Sequence, residues 1–352
     1  MQDVDPTEMR LPRCPIPTPG ERVRWFAAAR PMVGTVLGHD AEGQAIVKNE
    51  FGNDSHVSFD NIRLADPFSR APPNWHSLPA GGRLLKPDGP TSELFKRSMA
   101  PVIPPGPSYQ ELAEEIWGRG FEIFLVGGTV RDILAGQVAN DIDLVTTMPL
   151  RRMVGFLKEM FQTKEEGTGK FGYIRLGGRP ASGDPFIDLK VFSNSMSGTE
   201  FATFGVGFER DVAFRDFACN AVYYDPINEV IVDPTGHGVK DCASTTLRLV
   251  DGRHERHQMG QVFIRAVKFV ARGFQLEPDT KRKLVDVYLP KVAVLRKEMR
   301  RRYFCTQVMS KHKNAAAKSA AVASFRAALV AIGCDTAWDD HFQLTDEDLQ
   351  DA

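Results

Sequence analysis

Residues 121–145, FEIFLVGGTVRDILAGQVANDIDLV, constrain the fold more than any other part of the chain. An apolar run of strand length stops at the pair Gly127–Gly128. A short helical pattern, TVRDILA, follows and ends at Gly136. A second apolar run then carries Asp141 and Asp143 two residues apart. This is a strand, a turn, a helix and a second strand within 25 residues, which leaves little choice but a layered α/β arrangement.

The same stretch carries chemistry. Glycines without Cβ let backbone N–H groups approach a ligand closely, and a helix N-terminus favours phosphate. Arg131 sits in the first helical turn, where a cation is otherwise disfavoured unless an anion binds there. The plain alternative is a tight turn with an Arg131–Asp132 surface pair. On a strand, residues i and i+2 share a face, so Asp141 and Asp143 are expected side by side. Two such carboxylates repel unless a cation intervenes. Hard oxygen ligands suit Mg²⁺, and the set is that of a two-metal phosphoryl-transfer site. The plain alternative is a solvated strand end. Asp188, in PFIDLKVF, is a candidate third carboxylate on a neighbouring strand, with Lys190 on its face. An edge-strand charge is the alternative for Asp188.

The pattern elsewhere divides the chain. Residues 1–20 are proline-rich and expected to be disordered. Residues 21–66 alternate short β-like runs with turns, as in a small β-barrel-like domain of the Tudor sort. Residues 67–107, rich in proline and glycine, are expected to be a linker. Residues 108–252 form an α/β (α+β) head domain with a mixed sheet, opened by a capping box at Ser108 and Glu111. Residues 253–335 form a helical neck. Here QVFIRAVKFVARGF repeats apolar positions at helical spacing and sets Arg265, Lys268 and Arg272 on the opposite face. Residues 336–352 read as an acidic tail.

Charge is nearly balanced, 44 basic against 45 acidic side chains for a net −1, so any nucleic-acid footprint must be local. The five cysteines lie far apart without zinc-site spacing. They read as reduced thiols of a cytoplasmic protein. No run approaches the roughly 18 apolar residues of a membrane span.

Several segments together resemble the class II transfer-RNA nucleotidyltransferases and bacterial poly(A) polymerases. LVGGTVRDILAGQVANDIDLVT is similar to that family's signature. FRDFACNAVYYDP, VDPTGHGVKDCASTTLRLV and IRAVKFVARGFQLEPDT resemble three further motifs in the same order, over about residues 121–280. The resemblance implies that Asp141 and Asp143 hold two Mg²⁺ ions and that Asp188 completes the carboxylate set. It implies that Gly127, Gly128 and Arg131 bind a nucleoside triphosphate. Arg215, Asp216, Asn220, Arg265 and Lys268 would contact its sugar and phosphates. The reaction would be hydroxyl attack on the α-phosphate with release of pyrophosphate.

The chain departs from the family where base choice is made. Met259 and Val262 stand where an Asp and an Arg template the incoming base, unless His254, Glu255 or Arg256 takes that role. An apolar pair cannot read a base edge, so CCA addition by that template is not expected. The arginine pair before Asp-Phe is also broken at Phe214–Arg215, and the usual threonine is Ala218. RNA, with transfer RNA one candidate, would be gripped by the basic runs Arg300–Arg302 and Lys311–Lys313 and by the N-terminal barrel. A solvated helix face is the plain alternative for those runs. The expected activity is template-independent addition of nucleoside monophosphates to an RNA 3′ end. The alternatives are transfer to a protein or small molecule, or a non-catalytic RNA- or protein-binding relative.

Overall fold

The computed structural model describes residues 1–5, 9, 19–20, 22–27, 30–40, 44–57, 62–64, 78–104, 106–119, 121–139, 141–148, 150–161, 173–177, 186–192, 208–250, 254, 256–310, 312 and 314–350. They form two compact units. The first comprises Met1–Val212 and Val222–Gly236, the second Ala213–Ala221 and His237–Ala352.

In the first unit, β1 (Gln2–Asp3) is followed by β2 (Arg22–Ala27), β3 (Arg30–His39), β4 (Ala45–Asn49), β5 (Asp54–Val57) and β6 (Ile62–Leu64). Strands β2 to β6 make an antiparallel sheet in the order β5-β4-β3-β2-β6. Its core is Val23, Trp25, Val36, Ala45, Val47, Val57 and Ile62. Among the described residues its outer strands β5 and β6 do not pair, so the small N-terminal module is an open sheet there.

The rest of the unit is built on β7 (Arg83–Lys86), α1 (Gly89–Met99), α2 (Tyr109–Gly118), β8 (Ile123–Val126), α3 (Gly128–Leu134), β9 (Asp143–Thr146), α4 (Leu150–Phe161), β10 (Tyr173–Gly177), β11 (Phe186–Val191), α5 (Phe208–Val212), β12 (Tyr223–Asp225) and β13 (Val230–Asp233). The sheet order is β1-β7-β13-β12-β8-β9-β11-β10. Pairing is antiparallel except between β9 and β11. The central strands β8, β12 and β13 are buried throughout, as expected of strands covered on both faces. Phe124, Phe192, Phe208 and Tyr223 pack ring against ring beside them.

The expected mixed head sheet is therefore present, and so is the Ser108 capping box. Glu111 N–H donates to Ser108 Oγ at 3.2 Å, and Ser108 N–H donates to Glu111 Oε2 at 2.8 Å. The expected linker is a correction in its described part, because residues 78–107 contain β7 and α1. Asp88 and Pro90 there are capping chemistry for α1. Asp88 accepts from Thr91 N–H at 3.0 Å, and Pro90 occupies the first helical turn, where its missing donor costs nothing. The expected disorder of residues 1–20 is corrected at Gln2–Asp3, which pairs with β7; most of the remaining proline-rich N-terminus lies outside the described residues.

The second unit holds a 3₁₀ turn (Ala218–Asn220), α6 (Gly238–Ala243), β14 (Thr246–Leu247), α7 (Arg256–Val270), β15 (Gln275–Leu276), α8 (Pro278–Lys283), α9 (Leu289–Val294), α10 (Lys297–Phe304), α11 (Ala315–Ala331) and α12 (Asp346–Gln350). The helical region is thus as expected, but the acidic tail is a second correction. Trp338 and Phe342 stack at 5.4 Å and pack against Phe304 and Phe325. An aromatic pair at that spacing holds the chain end in the core whatever its charge.

Candidate active site

Gly127 leaves β8 and enters α3 with φ 69° and ψ −131°, a conformation open to glycine alone. A Cβ at Gly127 would stand 3.5 Å from Asp143 Oδ2. The glycine turn and the carboxylate pair, separate in the sequence, are neighbours. A Cβ at Gly128 would stand 3.5 Å from Arg131 Nη2, so the guanidinium lies back over the start of the helix.

Thr129 ties these parts together. Its buried hydroxyl donates to the Asp141 carbonyl oxygen and accepts from the Asp143 N–H, both at 2.9 Å. Two bonds from one side chain fix the corner between both aspartates to α3. Nothing in the sequence singled out Thr129; its signal was only a hydroxyl beside the glycine pair. Asp141 lies in a bend before β9 rather than on the strand, because its carbonyl is drawn to Thr129. The alternation survives nonetheless. Ile142 is buried between an exposed Asp141 and a part-buried Asp143.

Parallel pairing sets Asp188 in register with Asp143. Lys190 Nζ lies 3.4 Å from Asp143 Oδ1 and 3.8 Å from Asp188 Oδ1. Asp188 is nearly covered, with 9% of its side chain exposed against 34% for Asp143. Arg131 makes the alternative contact foreseen for it. Its Nε and Nη2 meet Asp132 Oδ1 at 3.0 and 2.7 Å.

The donor chemistry fits a hard divalent cation held by carboxylates and completed by phosphate and water. Among the described residues, however, no group of three or more His, Cys, Asp or Glu side chains is gathered closely enough to hold a metal ion. Asp141 and Asp143 are the pair that the sequence motif assigns to one.

The other predicted nucleotide contacts, Arg215, Asp216, Asn220, Arg265 and Lys268, all lie in the second unit. Asp216 is buried. Its Oδ1 accepts from Phe217 N–H at 2.9 Å and Asn220 Nδ2 at 3.0 Å, and its Oδ2 pairs with Arg265 Nε at 2.9 Å. Burial alone would raise the carboxyl's pKa. The Arg265 charge, the two hydrogen bonds and Arg215 outweigh it and hold Asp216 below the usual carboxylate range. Lys268 Nζ donates to Gln307 Oε1 at 3.3 Å.

His254, considered as a base-reading substitute, is committed internally. Its Nδ1 lies 2.9 Å from Tyr288 Oη and its Nε2 lies 3.1 Å from the Arg215 carbonyl oxygen. A neutral ring protonated on Nε2 satisfies both contacts. Burial lowers its pKa in spite of the Arg215 carbonyl and Asp216, both of which favour the charged form. Val262 is only 6% exposed and belongs to the core. Glu255 lies outside the described residues.

The basic runs are also corrected in part. Arg300 is buried, with Nη1 donating to the His341 carbonyl at 2.8 Å and Nη2 to Gln343 Oε1 at 3.3 Å. Arg301 donates to the Asp348 carbonyl, and Lys297 pairs with Asp348 at 2.8 Å. The chain end thus supplies carbonyl and amide acceptors to Arg300 and Arg301 and a carboxylate to the exposed Lys297, whereas Arg302 stays exposed. Lys311 and Lys313 lie outside the described residues.

Residues 123–248 match the family model described as the Poly A polymerase head domain. The CCA-adding enzyme of Enterococcus faecalis is 26% identical over 191 residues, 52% of this chain and 45% of that protein. The CCA-adding enzyme of Geobacillus stearothermophilus is 29% identical over 186 residues, 51% of this chain and 45% of that protein. Poly(A) polymerase I of Haemophilus influenzae is 27% identical over 176 residues, 46% of this chain and 37% of that protein. The match thus spans less than half the length of each of these relatives. The crystal structure of the Bacillus stearothermophilus CCA-adding enzyme in complex with CTP aligns at 20% identity and a TM-score of 0.49, covering 68% of this chain and 56% of that one.

Proposed function

We propose that this chain, whose residues 123–248 match the Poly A polymerase head domain model, transfers nucleoside monophosphates from a nucleoside triphosphate to an RNA 3′ end. The observation that carries the reading is the convergence at β9. Asp143 stands in register with Asp188, and the glycine turn at Gly127 lies against its carboxylate. Relatives named for CCA addition and poly(A) synthesis support the acceptor class.

Asp141 and Asp143 would hold Mg²⁺. When bound, such an ion lowers the pKa of an attacking hydroxyl and neutralises a pyrophosphate leaving group. The chain's own part is positioning, which supplies much of the rate in phosphoryl transfer. Thr129 fixes the corner that carries both aspartates. Gly127 keeps the space beside Asp143 clear of side chain, so that a triphosphate can approach the backbone. RNA contacts would fall on exposed cations such as Arg302 and on the N-terminal sheet.

A second reading keeps the chemistry but changes the acceptor to a protein or small molecule. It draws on the apolar Val262 at the base-reading position and on Arg300 and Arg301, each of which donates to a backbone carbonyl inside the second unit. Purified chain would be incubated with Mg²⁺, each labelled nucleoside triphosphate in turn, and either total RNA or a protein extract. Label entering RNA, abolished by Asp141→Ala with Asp143→Ala, is expected. Label entering protein instead would favour the second reading. No turnover with any acceptor would reject both.

A further inference from the structure

We propose that Lys190 supplies one of the positive charges that a paired-metal site would need, so that the chain takes a single divalent cation rather than two. The inference rests on the phosphoryl-transfer reading above. Asp188 and Lys190 are two apart on β11 and share a face. The parallel register brings Asp143 beside them. The ammonium lies 3.4 Å from Asp143 Oδ1 and 3.8 Å from Asp188 Oδ1, and its side chain is 40% exposed. It therefore occupies the space between the two carboxylates on adjacent strands.

That placement has two consequences. A buried third carboxylate serves a metal ion only if its oxygens converge with the others on one point. Among the described residues no three carboxylates do so, and Asp188 Oδ1 has the Lys190 ammonium 3.8 Å away. Charge balance agrees. Asp141, Asp143 and Asp188 together call for three positive charges, more than one divalent ion brings. With the lysine present, one divalent ion makes the set neutral. Lysine suits the part, because it is a compact charge with three donors on a flexible stem. It can bridge two carboxylates and turn a donor toward a phosphate oxygen.

Metal stoichiometry tests the proposal without relying on turnover. Free Mn²⁺ would be followed by electron paramagnetic resonance as it is titrated into the full chain saturated with α,β-methylene-ATP, corrected for the nucleotide alone. The wild-type chain is expected to bind one ion and Lys190→Met, which keeps most of the stem, to bind two. Asp141→Ala should lose the wild-type ion. Two ions in the wild type, or one in both chains, would overturn the proposal and leave the phosphoryl-transfer reading standing. No ion in either chain would overturn both.

Discussion

Thr129 shows how much one unremarked side chain can carry. Its hydroxyl is the shared partner of Asp141 and Asp143. Thr129→Val keeps the shape and removes both bonds, so it should cost about 1–3 kcal/mol of stability and lower turnover on the order of tenfold or more. Thr129→Ser should recover most of both, as read by urea titration and nucleotide incorporation. His254 carries a pH dependence. Burial depresses its pKa below 6.5, so the folded state disfavours the proton that the unfolded state accepts. The stability it contributes is complete above pH 6.5 and is lost as pH falls toward the folded value. Urea midpoints should therefore drop between pH 7.5 and 5.5, and the drop should shrink in His254→Gln. Both residues were weak signals in the sequence, because a hydroxyl or an imidazole declares its role only through its partners.

At the scale of elements, the glycines divide by what surrounds them. Gly127 is required by its backbone, since φ 69° with ψ −131° excludes side chains. Gly127→Ala should cost about 1–3 kcal/mol and reduce activity further, because its methyl would face the Asp143 carboxylate. Gly260 is required by a neighbour. A Cβ there would meet Leu295 Cδ1 at 2.9 Å and the Lys291 carbonyl oxygen at 3.4 Å where α7 crosses α9. Gly260→Ala should be mild, because the end of a leucine can shift. Gly260→Val should cost about 1–3 kcal/mol by overpacking, read as a lower urea midpoint with unchanged nucleotide affinity. The strand-turn-helix unit at Gly127 was legible in sequence because its punctuation is local. The crossing at Gly260 was not, since its cause lies more than thirty residues away.

Across the whole molecule, two units divide the work of folding, and charge along the chain misleads about the second. The acidic end reads as a tail, and the arginine run before it as a nucleic-acid grip or a solvated helix face. Instead, Trp338 and Phe342 bury the end against Phe304 and Phe325, and Asp348 takes up Lys297 and Arg301. Lys297, with Thr345, holds the Asp348 carboxyl down to about 2. Trp338→Ala should cost about 3–5 kcal/mol. Truncation after Gly333 should abolish the cooperative thermal transition of the helical unit, measured by calorimetry. Among the described residues no helix is long and apolar enough to cross a membrane.

The sequence by itself determined the strand–glycine–helix–strand unit, the α/β head, the helical region after it and the chemical character of the two aspartates. These follow from apolar period, glycine punctuation and residue type, which act over a few neighbouring positions. Only the tertiary structure decided that Asp188 stands beside Asp143, that Lys190 lies close to both, that the expected linker contributes a strand and a helix, and that Arg300 of the basic run turns inward while Arg302 stays exposed. Those outcomes depend on which strands pair and in which register, and on which charges a buried aromatic cluster drags with it. Such contacts join positions far apart in the chain, and no local pattern encodes them.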